Sequence, residues 1–403
     1  MDVEVRKIRT PEEYAQTRIN SAIVFNYEID IKSDSIKDPV KDGDKYGIFE
    51  DGKLVSQIYS YHFQMLYHGK YVPMFGIGDV CTLVEARNKG YVRRLFHNVF
   101  DIEREAGYVF SYLYPFSNEY YGKFGYGYGN NVLNVEIPLD RLEGHKCEYD
   151  VRMYQSGDPY EPYTEVFEKY AEQYTGAILR PDRGWLDDHV PAKNRKSMFL
   201  FTENGVPKAF VGFKTDHGQG GSLHIEGNIA WDSPEAFSNI LGFLYAYRMH
   251  NDKVYIRLPD SFPIEFMLKE QWGVKYERFI TGQVRVIDVK KALEFYPWSE
   301  DAGEVLIGVN DDYFTDQSGV YRVIFGGELG FDSSKATVEK CAGDVGVKAD
   351  IYLNIKALSP LMLGVYGYDD LMHLCNDSVT VNRNEALLRK VFIRRPVYIT
   401  ERF

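Results

Sequence analysis

Residues 77–96 combine an apolar run, a short polar loop and a helical pattern, which together predict a strand, a loop and a helix. Hydrophobic positions dominate from residue 77 to about residue 83, as in a buried strand. Polar residues follow from 85 to 89, and a helix is predicted to begin at Gly90. Apolar side chains then recur at helical spacing, at Val92, Leu95, Phe96, Val99 and Phe100.

Patterns on either side of this segment predict a first structural unit over residues 1–145. A helix near the start is indicated by Thr10-Pro11-Glu12-Glu13, which supplies an N-cap, a first-turn proline and acidic residues. Asp51-Gly52 between two apolar runs predicts a hairpin. The other predicted elements are strands at 46–50, 53–64, 64–67, 71–75, 109–113 and 132–137 and a short helix at 117–123.

A second unit is predicted over residues 146–288, because the same order of elements recurs there. Ser233-Pro234-Glu235 has the composition of a capped helix start. No basic glycine motif precedes that helix, so we expect this unit to be a scaffold without a cofactor of its own.

Residues 289–403 are predicted to form a third unit. Val305, Ile307 and Val309 alternate with polar neighbours, as a half-buried strand requires. The pattern ends in a late helix at 382–388 and a terminal apolar strand at 390–399.

The predicted helix start at Gly90 has the features of an anion site. The first N–H groups of a helix have no partner within it, and phosphates bind at such ends. Arg87, Lys89, Arg93 and Arg94 add positive charge, and a glycine lets a ligand approach the backbone. The alternative is a basic helix start in an ordinary surface loop.

The motif at this site is Arg-x-x-Gly, formed by Arg87-Asn88-Lys89-Gly90. It is neither a P-loop nor a dinucleotide-binding glycine motif. It resembles the pyrophosphate loop of the acetyl-CoA-dependent N-acetyltransferases of the GNAT superfamily. That loop ends in glycine or alanine where this chain has Val92, after Tyr91.

Together with Tyr-Tyr-Gly-Lys-Phe-Gly-Tyr-Gly at residues 120–127, the segment 87–96 resembles acetyltransferases of the enhanced-intracellular-survival (Eis) type. The resemblance implies an α/β fold of tandem GNAT folds with mixed central sheets, followed by a sterol-carrier-protein-like α+β domain. It also implies acetyl-CoA as co-substrate, an amine such as an aminoglycoside or a lysine side chain as acceptor, and a homohexamer.

The resemblance also implies two catalytic groups. Tyr121 matches the proton donor of the family, and a phenol with a pKa near 10 is protonated at pH 7. Tyr120 and Tyr126 are the nearest competitors. The family uses its C-terminal carboxylate as the base, which here belongs to Phe403. Burial of its ring would hold that carboxylate in place and raise its pKa, whereas a frayed terminus is the usual alternative.

Further contacts are expected around the cofactor and the acceptor. Backbone groups of Val80, Cys81 and Thr82 would pair with the pantetheine chain and polarise the thioester. Phe116 and Ser117 would contact its thioester end, although Ser117 is equally suited to cap the short helix. Asp79 and Glu401 are candidates for holding a cationic acceptor.

Composition and charge limit the other possibilities. The net charge of −12 makes nucleic acid an unsuitable partner and favours a cationic substrate. Cys81, Cys147, Cys341 and Cys375 lie far apart, so neither a zinc site nor a disulfide framework is predicted. His62, His68 and His97 show no ligand spacing, and no metal is expected. Without an apolar leader or a long apolar run, the sequence favours a cytoplasmic protein with no membrane segment.

Two other function classes stay open from the sequence. One is a non-catalytic module that binds acyl-CoA or lipid. The other is a tandem-GNAT aminoacyl or peptidyl transferase that uses charged tRNA, which the acidic net charge disfavours.

Overall fold

The structure is a computed structural model. It describes residues 2–180, 184–187, 189, 195–216, 218, 220–299, 301–326, 336–341, 348–374, 378–401 and 403. Of the residues considered above, Cys375 lies outside this set. None of the helices in the described residues is long and apolar enough to cross a membrane.

The first unit follows the predicted order of strands and helices. Its α1 begins as expected, because the Thr10 hydroxyl accepts from the Glu13 N–H while the Glu13 carboxylate accepts from the Thr10 N–H. The elements are β1 (Val3–Lys7), α1 (Pro11–Phe25), β2 (Gly43–Glu50), β3 (Lys53–Tyr67), β4 (Lys70–Thr82), α2 (Tyr91–Glu105), β5 (Phe110–Leu113), α3 (Asn118–Gly122) and β6 (Gly127–Pro138).

Strands β3 and β4 are longer than predicted. The sequence suggested a break at Gln64, but Gln64 pairs with Pro73 and the ladder continues without interruption to the turn at His68-Gly69. The break was predicted wrongly because Gln64 is polar, whereas the residues that follow it are buried and hold the strand in the sheet.

The second unit repeats the alternation of strands and helices. The apolar stretch at 221–231 forms two strands rather than one, because Gly227 adopts φ +94° between them. The elements are β7 (Asp150–Met153), α4 (Glu161–Ala171), α5 (Gly184–Asp187), β8 (Lys196–Glu203), β9 (Val206–Thr215), β10 (Gly221–Ile225), β11 (Ile229–Trp231), α6 (Pro234–Tyr245), β12 (Asn251–Pro259) and β13 (Lys275–Val286).

One mixed sheet, with thirteen strands among the described residues, joins the first two units. Its order is β1-β2-β3-β4-β5-β13-β6-β12-β10-β9-β8-β7, and β11 pairs with β9. Strand β13 comes from the second unit but lies between β5 and β6 of the first, antiparallel to both. In return, β6 pairs with β12 of the second unit. The two units therefore exchange strands, and the boundaries at 145 and 288 stay a prediction.

The third unit has a sheet of its own, with the order β16-β15-β14-β17-β18 in the described residues. Val305, Ile307 and Val309 are buried on one face of β14, as the alternation predicted. The elements are α7 (Val289–Phe295), β14 (Gly303–Asn310), β15 (Gly319–Phe325), β16 (Thr337–Lys340), β17 (Ile351–Asn354), α8 (Ile355–Leu363), α9 (Tyr368–Leu371), β18 (Val379–Val381) and α10 (Glu385–Val391).

The terminal strand predicted at 390–399 is wrong. Helix α10 continues to Val391, and the chain beyond it is extended but makes only one isolated bridge in the described residues, between Val397 and Thr175. Pro396 has no backbone N–H and so cannot donate a hydrogen bond to a neighbouring strand. The segment instead crosses from the third unit to the first two, and its apolar side chains Tyr398 and Ile399 are buried there.

A buried ion pair connects β13 to the third unit. Arg285 Nη2 lies 2.5 Å from Asp311 Oδ2, and both side chains are 1% exposed. Arg285 Nη1 also donates to the Phe124 carbonyl, 2.6 Å away, in the loop after α3. The other Asp311 oxygen accepts from the N–H groups of Tyr313 and Phe314. These bonds join the sheet, the α3 loop and the third unit at one point.

Replacement of Arg285 by methionine should therefore destabilise the protein strongly. It leaves the Asp311 charge buried without its partner, which costs about 3–5 kcal/mol of unfolding free energy. The double variant Arg285→Met/Asp311→Asn should recover part of this loss, because the amide oxygen still accepts from the Tyr313 N–H. Urea unfolding measures the free energy of unfolding of both variants.

The matched control is Arg322→Met, which breaks the exposed pair with Glu304. We expect no measurable shift of its urea midpoint, because exposed ion pairs contribute little. An equally small shift for Arg285→Met would contradict the role assigned to the buried pair.

Candidate active site

Strands β4 and β5 separate at the centre of the first unit. They pair in parallel from Met74 opposite Phe110 to Ile77 opposite Leu113, where β5 ends. Strand β4 continues to Thr82 with β3 on its other side. The register between β3 and β4 is irregular near Asp79, whose φ is +50°. From Gly78 onward, one backbone edge of β4 therefore faces the gap that opens beyond β5, where an extended ligand could pair with it.

Helix α2 begins directly after this gap with an uncapped N-terminus. Its N-cap residue is Gly90, at φ +75°, and no side chain caps the helix. A side chain at Gly90 would meet no atom within 4 Å, so the surroundings are open. The first-turn N–H groups, from Tyr91 to Arg93, point out of the helix end, and Arg93 and Arg94 are exposed beside it. The arrangement fits a phosphate group.

Some residues of the Arg-x-x-Gly segment have partners inside the protein. Lys89 Nζ lies 2.7 Å from Glu50 Oε1, and the Tyr91 hydroxyl donates to the same oxygen. Arg87 Nε donates to the Thr82 carbonyl at 3.3 Å. These contacts hold the loop against the sheet. What they leave for an anion is the backbone donors and the exposed side chains of Arg87, Arg93 and Arg94.

Two predicted cofactor contacts in β4 and α2 belong partly to the core. Cys81 is 4% exposed, and burial raises the pKa of its thiol to about 12, so it is not a nucleophile at neutral pH. The Val92 side chain packs against the apolar cluster beneath α2. Asn88 adopts φ +63° and shapes the turn before Gly90. The Cys81 side chain is therefore not available to a ligand, whereas the Asn88 side chain is exposed.

Tyr121 lies in α3, immediately after β5. It is 5% exposed, and burial, with a smaller effect of Tyr120, raises the pKa of its phenol well above the usual value. The phenol is therefore fully protonated at neutral and mildly alkaline pH. Phe116, 77% exposed, has its ring 5.4 Å from the Tyr121 ring. Ser117 caps α3, because its Oγ accepts from the Tyr120 N–H at 3.2 Å.

Of the two competing tyrosines, Tyr126 is less available. Its hydroxyl is buried and lies 2.6 Å from Ser111 Oγ. Tyr120 is partly buried and stacks edge-on against Tyr121.

The chain end lies at the point where β4 and β5 separate. A Cβ atom on Gly76 would lie 2.3 Å from Cε2 of the Phe403 ring, and one on Gly78 would lie 3.1 Å from the Phe403 carbonyl carbon. The two glycines thus form a bare shelf on β4 on which the last residue rests. Around its ring stand those of Tyr61, Phe63, Tyr112 and Tyr114, with centroids 5.1–6.3 Å away.

Hydrogen bonds hold the segment that leads to Phe403. The Asn130 amide donates to the Ile399 carbonyl at 3.1 Å, and the Tyr114 hydroxyl donates to the Glu401 carbonyl. These partners lie on β6 and just beyond β5, which fixes the tail between the strands of the first unit.

Asp79 and Glu401 do not present free carboxylates to an acceptor. Asp79 accepts from Lys45 Nζ at 2.6 Å and Gln57 Nε2 at 2.8 Å, and also from the Ser21 hydroxyl. Glu401 lies 2.8 Å from Arg180 Nε. Both charges are thus compensated within the chain, which argues against the predicted role of holding a cation. The sequence did not show this, because the partners Lys45, Gln57, Ser21 and Arg180 lie 22–221 residues away along the chain.

Sequence reasoning missed Gly76 and Gly78, the shelf for Phe403, and also Tyr114 and Arg180, which hold the tail. The sequence did contain a signal for the two glycines. Two glycines two residues apart in a strand lie on the same face and clear it of side chains. Tyr114 and Arg180 had no comparable signal.

The corresponding helix start in the second unit is closed to a phosphate. Ser233 Oγ accepts from the Ala236 N–H at 3.1 Å, and Pro234 has no N–H. Glu235 adds negative charge in the first turn. No group of three or more metal-ligating side chains is gathered anywhere in the described part of the chain.

Comparisons with known proteins agree with this architecture. Residues 4–129 match the family model of the acetyltransferase (GNAT) domain, and residues 289–399 match that of the sterol carrier protein domain. No curated protein sequence matches the chain.

Three solved structures are similar over the full length of this chain and of their own. A conserved protein of unknown function from Enterococcus faecalis V583, described as a probable N-acyltransferase, is 19% identical with a TM-score of 0.86. A GCN5-related N-acetyltransferase from Anabaena variabilis ATCC 29413 is 19% identical with a TM-score of 0.83. Eis1 from Mycobacterium abscessus is 16% identical with a TM-score of 0.79. At these identities the likeness concerns the fold.

The predicted α/β fold class is confirmed: the chain combines a GNAT fold with a sterol carrier protein domain. The prediction of an enzyme of the GNAT acetyltransferase type is confirmed as well. A domain of this type implies acetyl-CoA as the acetyl donor and an amine as the acceptor.

Substitution of Gly76 by alanine should displace the Phe403 ring from the shelf, because the new methyl group overlaps it. Burial of a phenylalanine ring contributes about 1.5–3 kcal/mol, so the tail should open roughly 10–100 times more often. Carboxypeptidase digestion followed by mass spectrometry measures this as faster release of Phe403.

The matched control is Gly122→Ala, whose methyl group would have its nearest neighbour at 3.9 Å. It should release Phe403 at the parent rate. Equal rates for Gly76→Ala and the parent would show that the ring does not rest on Gly76.

Proposed function

We propose that the protein is an Eis-like N-acetyltransferase that moves an acetyl group from acetyl-CoA directly to an amine. The observation that carries the proposal is the position of Phe403, whose carboxyl end lies beside Gly78, where β4 and β5 separate, on the strand that leads to the uncapped start of α2. A phosphate site, a free strand edge and a carboxylate then meet in one cleft.

In this proposal the diphosphate of acetyl-CoA binds the N–H groups at the start of α2, with Arg93 and Arg94 beside them. The pantetheine chain pairs with the free edge of β4 at Val80, Cys81 and Thr82. A backbone N–H of this edge polarises the thioester carbonyl and stabilises the charge that develops on its oxygen. Phe116, exposed at the entrance to α3, contacts the thioester end.

The chemistry needs one base and one acid. The amine nitrogen attacks the thioester carbonyl carbon, and its proton passes to the α-carboxylate of Phe403. The carbon–sulfur bond then breaks, and the Tyr121 phenol donates its proton to the leaving thiolate. Burial supports this role of Tyr121, because it keeps the phenol protonated at the pH of the reaction. The aromatic rings around the Phe403 ring hold the last residue, and with it the carboxylate, in place.

The proposal extends to the assembly and its location. The resemblance to Eis-type enzymes supports a homohexamer, with a third unit of sterol-carrier type that supplies the tail, and the cytoplasm is the proposed location.

Tyr121→Phe should lower kcat for acetyl transfer about 10²–10⁴-fold, since a general acid contributes this much. CoA binding, measured by calorimetry, should stay within about twofold of the parent. The control is Tyr120→Phe, which removes the neighbouring hydroxyl and should keep the parent rate. If Tyr120→Phe loses activity and Tyr121→Phe does not, then Tyr120 rather than Tyr121 is the general acid.

One glycine added after Phe403 keeps the ring and moves the carboxylate away from the shelf. We expect kcat/KM to fall about 10²–10⁴-fold and its acidic limb, which reports the base, to disappear from the pH profile. Phe403→Leu retains the carboxylate and serves as the control, with that limb preserved. If the extended chain keeps both rate and pH profile, the terminal carboxylate is not the base.

A further inference from the structure

Helix α3, which carries Tyr121, is too short to hold its own position. It has five residues, Asn118–Gly122, whereas isolated helices of fewer than about 12–15 residues are only marginally stable in water. The apolar side chains of α3 and of the residues after it pack against α2, where the Phe124 ring stacks on that of Phe96 with centroids 4.4 Å apart. The direction of the α3 backbone then depends on contacts with other elements.

Two side chains of β13 supply such contacts, one at each end of α3. Gln283 Nε2 donates to the Asn118 carbonyl at the start of the helix, 3.3 Å away. Arg285 Nη1 donates to the Phe124 carbonyl just beyond its end, 2.6 Å away. The two residues are two positions apart on one strand, so their side chains leave the same face of the sheet. Tyr121 lies between the two points at which β13 is bonded.

Glycines after α3 make room for these neighbours. Gly125 adopts φ +83°, and a Cβ atom there would lie 1.5 Å from Arg285 Nη1. A Cβ atom on Gly127 would lie 2.2 Å from the Lys356 carbonyl oxygen of α8. The two glycines thus allow the second and third units to approach the backbone that follows Tyr121.

Stability alone does not account for Gln283. The residue is 2% exposed, and its Oε1 atom is buried with no hydrogen-bond partner in the described residues. A buried amide that makes only part of its hydrogen bonds adds little net stability, because the unpaired oxygen is desolvated. Local rules of this kind are broken most often at functional sites.

We propose that Gln283 and Arg285 are positioning residues for the general acid. This inference rests on the proposed function, in which the Tyr121 phenol protonates the leaving thiolate. Proton transfer requires the donor within about 2.6–3.2 Å of the acceptor atom, and a misplacement of about 1 Å can lower a rate about 100-fold. By holding both ends of α3, β13 keeps the phenol at one depth in the cleft. The second unit thereby acts on the reaction through the backbone of the first.

The test uses Gln283→Met, which keeps the approximate size of the side chain and removes the amide. Because methionine leaves no unpaired oxygen, the variant should fold as the parent does. Amide hydrogen exchange of residues 118–124, measured by mass spectrometry on the full-length protein, should be faster than in the parent, while that of β14 should stay the same. Unchanged exchange at α3, or a uniform increase across the chain, would overturn the proposal.

Turnover separates positioning from support of the fold. With acetyl-CoA and the best of three acceptors (2-phenylethylamine, spermidine and tobramycin), Gln283→Met should lower kcat at least about tenfold, with the KM for acetyl-CoA within about twofold of the parent. In the Tyr121→Phe background the same substitution should leave kcat unchanged, because no acid is left to position. An equal loss of kcat in both backgrounds would overturn the proposal.

The matched control is Gln271→Met. The Gln271 amide likewise donates to a backbone carbonyl, that of Glu265 at 2.8 Å, but this bond lies in the segment before β13. The variant should keep the parent values of kcat and of hydrogen exchange at α3. If the parent transfers no acetyl group to any of the three amines, the proposed reaction fails, and the exchange of α3 decides by itself whether β13 holds the helix.

Discussion

The exchange of β6 and β13 is the constraint on which the rest of the structure depends. Strand β13 fills the position beside β5, and β6 passes over to β12, so neither of the first two units has a complete sheet without the other. The cleft between β4 and β5 thereby gains a fixed wall. The same strand carries Arg285 into contact with Asp311, which attaches the third unit. The third unit in turn directs the tail back to the cleft.

This arrangement explains how three units contribute to one proposed site. The first supplies the free strand edge, the start of α2 and Tyr121. The second supplies Phe279 and Ile280, which line a cavity beside Phe403. The third supplies only the chain end, which is fixed by hydrogen bonds to side chains of the first two. In the proposed mechanism, the sterol carrier domain serves to place Phe403 at the cleft.

Local signals in the sequence were sufficient for the elements that depend on local interactions. The capping box at Thr10, the start of α2 after Gly90 and the alternation at Val305 follow from backbone and burial rules, and the structure shows all three. Strand β13 was missed, because residues 275–279 are largely exposed and lack an apolar alternation. Only its partners, more than 130 residues earlier in the chain, make it a strand.

In the candidate site, too, some residues could be predicted from local sequence and others only from tertiary contacts. Gly90 was singled out from the Arg-x-x-Gly motif and Tyr121 from the family resemblance, and their roles stay predictions, whereas the partners of Asp79 and Glu401 depend on folding and could not be read from neighbouring residues. Which carboxylate is free and which is compensated is a tertiary property, so the charge of an acceptor site is harder to predict than its position.

The strand exchange also has a consequence for the order of events during synthesis. The first sheet cannot close when residue 138 leaves the ribosome, because the strand that belongs beside β5 ends at residue 286. At about 5–20 residues per second, the missing strand arrives roughly 7–30 s later. During that interval the edges of β5 and β6 lack their neighbour and are open to wrong pairing. A nascent chain of this protein is thus a natural client for chaperones that shield strand edges.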